Sequence, residues 1–203
     1  MTHIDYYFTI SSPWAYLGHA AIRAVAERHG ARLNPKPVVL GGVWEISGGV
    51  PLPQRSPTRQ RYRFIELQRY AELRGMPIVY KPRPIDASLA DLCVAAIVLE
   101  GRDPLDYMSR VFAARWAEDR DIGDETVIAS LVKDSGFDPV VIMDAAKGDA
   151  AAALRKKNTD EAIEADAIGV PAYVLNGEVF WGQDRIDLLD RALSTGRAPY
   201  KPL

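Results

Sequence analysis

The spacing of hydrophobic and polar residues predicts a strand followed directly by a helix at the start of the chain. Residues 3–10 are dense in aromatic and β-branched side chains, which favours a buried strand over a helix of only eight residues. Ser12 then offers a hydroxyl suited to cap a helix, and Pro13 suits the first helical position. Apolar residues recur at helical spacing over residues 14–30, and we expect His19 on the wet face of this helix.

The middle of the chain reads as an edge strand, a loop and a block of helices. Residues 32–40 form the second predicted strand, and its two prolines place it at a sheet edge because they cannot donate to the ladder. Residues 41–57 hold four glycines and three prolines, which predicts either a long loop lining a site or a disordered segment. Caps and stops then mark six predicted helices, at residues 57–74, 87–100, 104–116, 125–133, 139–147 and 149–167.

The strand period returns near the end of the chain. Tyr173–Leu175 and Glu178–Trp181 flank Asn176-Gly177, a pair that tolerates the positive φ needed at both central positions of a type I′ hairpin turn. A last helix is predicted from about Asp184 to Leu193, with Asp184 as its N-cap.

The resulting order, βαβ, helical block, ββα, is that of a thioredoxin-like α/β fold carrying an inserted all-helical domain. Residues 1–45 and 168–203 are the predicted first and second halves of the thioredoxin fold. Residues 46–167 are the predicted loop and helical insertion. We expect the two parts to pack closely, because no clear linker separates them.

Composition excludes several classes of function. The 203 residues are 48% hydrophobic and 26% charged, as in an ordinary globular protein. A net charge of −2 without a basic run argues against nucleic acid as a partner. The chain begins without a signal-peptide pattern and lacks the apolar stretch of about 20 residues that a membrane span needs, so we expect a cytoplasmic protein that does not bind membranes. The oligomeric state stays open, a homodimer included.

The spacing of the single cysteine and the three histidines indicates neither a redox motif nor a metal site. Cys93 alone cannot form an intramolecular disulfide or a Cys-x-x-Cys motif, and its apolar neighbours predict a buried structural residue. The histidines lack the spacing of metal ligands, so no metal site is predicted.

The turn at Ser12 is the candidate reactive point of this fold. Free N–H groups at the helix start stabilise anions there, and a Cys-x-x-Cys motif would occupy the four positions that read Ser12-Pro13-Trp14-Ala15. Redox exchange at this turn is thereby excluded, and the absence of a motif-placed base argues against acyl transfer. The Ser12 hydroxyl either only caps the helix or also anchors a thiolate from outside. Val170-Pro171 lies where thioredoxin folds carry a cis-proline, beside which a peptide-like ligand pairs with the backbone.

Three segments carry a family resemblance: Tyr7–Leu17 with its Ser-Pro turn, Ile168–Ala172, and Phe180–Arg185. Together they resemble the 2-hydroxychromene-2-carboxylate isomerases and their relatives, the kappa-class glutathione transferases. The resemblance implies a DsbA-like fold and glutathione as cofactor. It also implies reversible isomerisation of 2-hydroxychromene-2-carboxylate to trans-o-hydroxybenzylidenepyruvate in the breakdown of naphthalene-like aromatics.

The same resemblance implies roles for particular residues. Ser12 would hold the glutathione sulfur, and the Val170 backbone would pair with the cysteinyl part. The rest of glutathione would be bound by four consecutive residues, Trp181, Gly182, Gln183 and Asp184. Asp184 has the charge to bind the γ-glutamyl ammonium, and Gln183 with the nearby helix start suits its carboxylate.

On the substrate side, the family's residues fall in and just after the glycine- and proline-rich segment. Gln54, Arg55 and Arg59 are the candidates to bind a small aromatic carboxylate, and Arg55 is preferred; the alternative is an ordinary solvated helix start. The chain departs from the isomerases in this segment, with Trp44 in place of a lysine and Gly49 in place of an asparagine. The physiological substrate is therefore open.

Two other functions remain compatible with the sequence. One is a kappa-like transferase that joins glutathione permanently to an electrophile. The other is a non-catalytic glutathione-binding or chaperone-like thioredoxin module.

Overall fold

The computed structural model describes residues 1–202, which form four strands and nine α-helices. The strands are β1 (His3–Phe8), β2 (Arg32–Pro37), β3 (Ala172–Leu175) and β4 (Glu178–Trp181). The helices are α1 (Pro13–Arg28), α2 (Leu40–Ser47), α3 (Pro57–Arg74), α4 (Ser88–Leu99), α5 (Leu105–Trp116), α6 (Glu125–Asp134), α7 (Pro139–Lys147), α8 (Asp149–Glu164) and α9 (Ile186–Thr195). Short 3₁₀ turns at Leu52–Gln54 and Gln183–Arg185 precede α3 and α9.

The four strands form one mixed sheet in the order β2-β1-β3-β4, with β2 parallel to β1 and the other two pairs antiparallel. The predicted edge position of β2 is confirmed, which explains how it tolerates Pro35 and Pro37. The predicted hairpin is also confirmed: Asn176 and Gly177 have φ of 53° and 83°. The Val170-Pro171 peptide is cis, as the fold led us to expect.

The two faces of the sheet pack against different helices. Along β1, Tyr6 and Phe8 point into the larger core with α1, α9 and helices α3 to α7, whereas Tyr7 points to the opposite face. There it packs with Val43 of α2 and Ala162 of α8. This alternation follows from the period of two along a strand, and it buries β1 on both sides.

The helical block shares one core with the sheet. The Phe112 ring on α5 lies 6.1 Å from Phe8, 6.4 Å from Tyr16 and 5.3 Å from His19, measured between ring centroids. The block therefore stabilises the strand and the helix that flank the Ser12 turn. Among the helices of residues 1–202, none combines the length and the hydropathy needed to cross a bilayer.

The prediction of a loop over residues 41–57 is wrong for its first half, which is helix α2. Glycine-rich sequence is a poor helix former, but α2 packs against α8, and Gly42 allows close approach to Thr159. Long-range packing has overridden local propensity here.

Two further expectations are wrong. His19 is 4% exposed because α5 covers that side of α1; its Nε2 lies 3.2 Å from the Leu105 carbonyl oxygen, and burial lowers its pKa to about 4. Asp184 does not cap the last helix, which begins at Ile186 after a 3₁₀ turn and has no side-chain cap.

Replacing Phe112 tests whether the block and the sheet unfold together. Phe112→Ala should lower the free energy of unfolding by about 3–5 kcal/mol and keep a single transition, because the cavity opens in a core common to both parts. Denaturant unfolding followed by circular dichroism measures this, with the half-exposed Leu188→Ala as control. Two separate transitions in the wild type would contradict a shared core.

Candidate active site

A cavity of about 760 Å³ opens where the Ser12 turn meets the segment before β3. All the predicted glutathione-side residues line this cavity, namely Ser12, Val170, Trp181, Gly182, Gln183 and Asp184. Among the predicted substrate-side residues, Arg55 lines the cavity, whereas Gln54 and Arg59 are exposed outside the lining.

Ser12 combines a capping role with access to the cavity. Its Oγ accepts a hydrogen bond from the Ala15 N–H at 3.2 Å and donates to the Val170 carbonyl at 3.4 Å. The Tyr16 N–H donates to the Ser12 carbonyl, and Pro13 has no N–H. Within residues 1–202 the Trp14 N–H is thus the first-turn amide of α1 left without an acceptor. An anion at this point can be met by one free amide, one hydroxyl and the positive end of the helix.

The segment before β3 offers a backbone suited to a peptide-like ligand. The Val170 N–H has no acceptor in the described part of the chain, and Val170 borders the cavity next to Ser12. The carbonyl of Pro171 accepts a hydrogen bond from the Gly182 N–H at 2.8 Å. This bond holds the Trp181–Asp184 segment beside Val170.

Gln183 and Asp184 differ in how far they are available to a ligand. Gln183 is 2% exposed, and its Oε1 accepts a hydrogen bond from Arg74 on α3 at 3.2 Å. Asp184 is partly exposed at the cavity and pairs with its neighbour Arg185. Arg74 therefore holds Gln183 in place by a hydrogen bond, whereas the Asp184 carboxylate is paired with a cation and is accessible to a ligand.

Trp44 lines the cavity and packs against Gly49, which lies outside the lining. Any β-carbon at Gly49 would clash with the Trp44 ring. The indole nitrogens of Trp44 and Trp181 approach the same side of Gly169, 3.3 and 3.1 Å from the position a β-carbon would take. The guanidinium carbon of Arg55 lies 5.7 Å from the Trp44 ring centroid, in range of a cation–π contact.

The sequence did not identify two further cations of the cavity, Arg63 and Lys81. They lie near the Phe64 ring, at 5.9 Å for the Arg63 guanidinium carbon and 5.6 Å for the lysine nitrogen. Burial lowers the pKa of Arg63, and nearby Arg55 lowers it further. Arg63 lies four residues before the buried Leu67, and this helical spacing could have indicated that it faces inward. Lys81 lies in a segment with neither a helical nor a strand period, so no sequence signal pointed to it.

The charges of this cavity favour an anionic ligand. Across residues 1–202, no carboxylate lies within 4.0 Å of the cationic groups of Arg55, Arg63 or Lys81. The acidic residues of the lining are paired instead, Glu66 with Arg69 and Asp184 with Arg185. A carboxylate entering the cavity would meet cations that have no competing partner.

Cys93 lies outside the cavity lining and is fully buried, which confirms the structural interpretation. Burial raises the pKa of its thiol to about 12, so it carries no reactive thiolate at neutral pH.

Fold and site together define a thioredoxin-fold protein with a serine at the reactive turn. A family model, the DSBA-like thioredoxin domain, matches residues 3–194, and the chain belongs to this family. The fold predicted from the sequence is thereby confirmed.

Three similarities indicate the branch of the family. The chain is 29% identical over 201 residues to a 2-hydroxychromene-2-carboxylate isomerase of Pseudomonas sp. (strain C18), covering 97% of this chain and 91% of the relative. It is 27% identical over 191 residues to the Pseudomonas putida isomerase of the same name, covering 94% and 93%. A solved structure of 2-hydroxychromene-2-carboxylate isomerase superposes with a TM-score of 0.84 at 26% identity, over 95% of both chains. These similarities support an isomerase-family protein.

Substitution at Gly49 tests the coupling to Trp44. Gly49→Ala should displace the indole and cost about 1–3 kcal/mol of stability, as overpacking does. The Trp44 indole N–H resonance in a ¹H–¹⁵N spectrum reports the displacement. Gly41→Ala is the matched control, because a β-carbon there meets nothing within 4 Å. Equal spectra for the two variants would show that Trp44 does not depend on Gly49.

Proposed function

We propose that this protein is a glutathione-dependent isomerase that interconverts 2-hydroxychromene-2-carboxylate and trans-o-hydroxybenzylidenepyruvate. One observation carries the proposal: a thiol-free turn presents the Ser12 hydroxyl and the free Trp14 N–H to a cavity bordered by the unpaired Val170 N–H. The names of the relatives support the reaction, and the unpaired cations of the cavity suit an anionic substrate.

The donor set fits glutathione. When bound, glutathione supplies a thiol whose anion can add reversibly to a conjugated carbon, which is the chemistry that the turn itself lacks. Ser12 would donate a hydrogen bond to the sulfur, giving up its 3.4 Å bond to the Val170 carbonyl, and the Val170 backbone would pair with the peptide part. Asp184 would bind the ammonium group, exchanging its present partner Arg185 for it.

The energetic demand on Ser12 and α1 is modest. Lowering a thiol pKa of about 8.5 by two units requires about 2.7 kcal/mol of preference for the anion. One hydrogen bond to a charged group contributes about 1.5–3 kcal/mol, and a helix N-terminus adds about 0.3–1 kcal/mol. The hydroxyl and the helix start together contribute about 1.8–4 kcal/mol, a range that includes the required preference.

The opposite wall suits a planar aromatic carboxylate. Trp44 and Phe64 offer ring faces, while Arg55, Arg63 and Lys81 offer positive charge. The Arg55 Nε donates to the Val50 carbonyl at 2.7 Å, which fixes the side chain and leaves its terminal nitrogens for the substrate. Arg63 and Lys81 both lie within 6 Å of the Phe64 ring centroid, at 5.9 and 5.6 Å, and would hold the carboxylate near that ring.

Product analysis tests the reaction itself. The protein is mixed with glutathione and the chromene carboxylate, the absorbance of the ring-opened product is followed, and glutathione is quantified by chromatography. We expect product to form with all glutathione recovered. Stoichiometric loss of glutathione would instead identify a conjugating transferase, and undetectable glutathione binding by calorimetry would exclude both enzymes.

Removal of the Ser12 hydroxyl should lower the turnover number strongly while the protein keeps its fold. Ser12→Ala is expected to lower kcat on the order of 100-fold, the scale of losing one anion-stabilising donor. Ser56→Ala is the matched control, since Ser56 also caps a helix by accepting from the amide of Arg59 but lies outside the cavity lining. Full activity of the Ser12 variant at neutral pH would refute the anchoring role.

The substrate carboxylate is tested on neighbouring arginines. Arg55→Met should raise KM for the chromene carboxylate on the order of 10-fold, because a hydrogen bond to a charged group contributes about 1.5–3 kcal/mol. Arg59→Met removes the same charge at an exposed position outside the lining and should leave KM within about twofold. Equal effects of the two substitutions would indicate a general charge effect rather than a contact.

A further inference from the structure

A buried carboxylate lies directly behind the reactive turn and has no part in the function described above. Asp91, in the first turn of α4, is fully buried. Its Oδ1 accepts a hydrogen bond from the Ile10 N–H at 2.8 Å, and its Oδ2 accepts from the Thr9 hydroxyl at 2.7 Å and from Arg155 of α8 at 2.8 Å. The Asp91 carboxylate therefore joins α4, α8 and the turn that follows β1. Its partner Ile10 lies two residues before Ser12.

The Asp91 carboxylate fixes the direction in which the Thr9 and Ser11 hydroxyl groups donate their hydrogen bonds. Because the ionised Asp91 can only accept, the Thr9 proton points to Asp91. Thr9 and Ser11 lie 3.0 Å apart between hydroxyl oxygens, so Ser11 must be the donor in that contact. Ser11 lines the cavity, and with its own proton directed inward its oxygen can only accept from a ligand.

We propose that Asp91 is a positioning residue of the candidate site, which fixes the turn and orients the Ser11 hydroxyl as a hydrogen-bond acceptor beside the donor Ser12. The proposal rests on the proposed function for the ligand, whose N–H or O–H group Ser11 would accept. The two adjacent serines then offer opposite hydrogen-bonding polarity to one bound molecule.

Protonation of Asp91 reverses this polarity. A proton on Oδ2 is donated to Thr9, the Thr9 proton turns to Ser11, and the Ser11 proton turns to the cavity, with no covalent bond to carbon changed. Burial raises the pKa of Asp91 to about 6, against the lowering effect of Arg155. Asp86, which precedes α4, raises it further, and Tyr107 of α5 also faces the carboxylate.

The sign of the pH dependence follows from the raised pKa. Above pH 6 the carboxylate prevails and Ser11 accepts; below pH 6 the neutral acid prevails and Ser11 donates. Activity that needs the acceptor is therefore lost as the pH falls through about 6.

The free protein provides the first test, by ¹H–¹⁵N spectra between pH 4.5 and 8. The amide protons of Ile10 and Ser11 should titrate with midpoints near pH 6, because the first donates to Asp91 and the second to Thr9 Oγ1. In Thr9→Val the Ile10 amide should still titrate while the Ser11 amide no longer does, and in Asp91→Asn neither should. Unchanged titration of the Ser11 amide in Thr9→Val, or no titration in the wild type, would overturn the proposal.

The second test is the dependence of kcat/KM on pH. Thr9→Val and Ser11→Ala should each lower kcat/KM at pH 7.5 on the order of 10-fold, since misplaced groups cost up to about 100-fold. In the wild type both Asp91 and the thiol of bound glutathione are ionised in the active form, so kcat/KM should fall at acid pH with a logarithmic slope of about two. In each variant the Asp91 contribution near pH 6 should disappear and the slope should drop to about one. The double variant should be no worse than Ser11→Ala alone, and Thr9→Ser should keep the slope of the wild type. Ser194→Ala is the control, because Ser194 is exposed on α9 and lies outside the cavity lining.

The outcomes separate this inference from the proposed function. Additive losses, or the wild-type slope of the acid limb in both single variants, would overturn the role of Asp91 even in an active isomerase. If the wild type neither binds glutathione nor turns over while the amide titrations follow the expected pattern, the proposed function fails and the connection from Asp91 to Ser11 stands.

Discussion

The site depends on the pairing of β1, which is hydrogen-bonded to β2 on one edge and to β3 on the other. The antiparallel register sets Tyr7 against Ala172, so the chain leaving β1 must run beside the chain entering β3. Ser12 and Val170, 158 residues apart in sequence, therefore meet in a hydrogen bond at the edge of the cavity. The helix N-terminus that stabilises an anion and the backbone that can hold a peptide are thus placed together by one strand register.

The substrate side is built by side-chain packing rather than by strand register. The Trp44 indole packs where a β-carbon of residue 49 would clash, so the positions of Trp44 and Gly49 depend on each other. Where the resemblance implies a lysine, this chain has an indole with Arg55 against it, and an aromatic face with a guanidinium differs from an ammonium group in shape and hydration. This change gives a physical reason to expect a different preference among aromatic carboxylates.

The charges of the cavity favour anions both at the start of α1 and at the cations of its wall. Its carboxylates already have cationic partners, whereas Arg55, Arg63 and Lys81 do not among residues 1–202, and the start of α1 adds positive potential. The cavity therefore has separate positive groups for two anions, a thiolate at the start of α1 and a carboxylate at these cations. Separate binding points limit the repulsion between them.

The sequence alone determined what is fixed by near neighbours along the chain. The Ser12 cap, the bounds Pro57–Arg74 of α3 and the hairpin at Asn176-Gly177 follow from bonds and dihedral preferences within about four residues. The family resemblance supplied the glutathione-side residues, which the structure gathers at one cavity.

Only the tertiary structure decided the features that rest on distant partners. The helix at Leu40–Ser47 exists because α8 packs on it, and His19 is buried because α5 covers it. The inclusion of Arg63 in the cavity and the contact of Asp91 with the reactive turn likewise join residues far apart in sequence. Burial and long-range hydrogen bonds depend on which surfaces meet, and local sequence does not encode that.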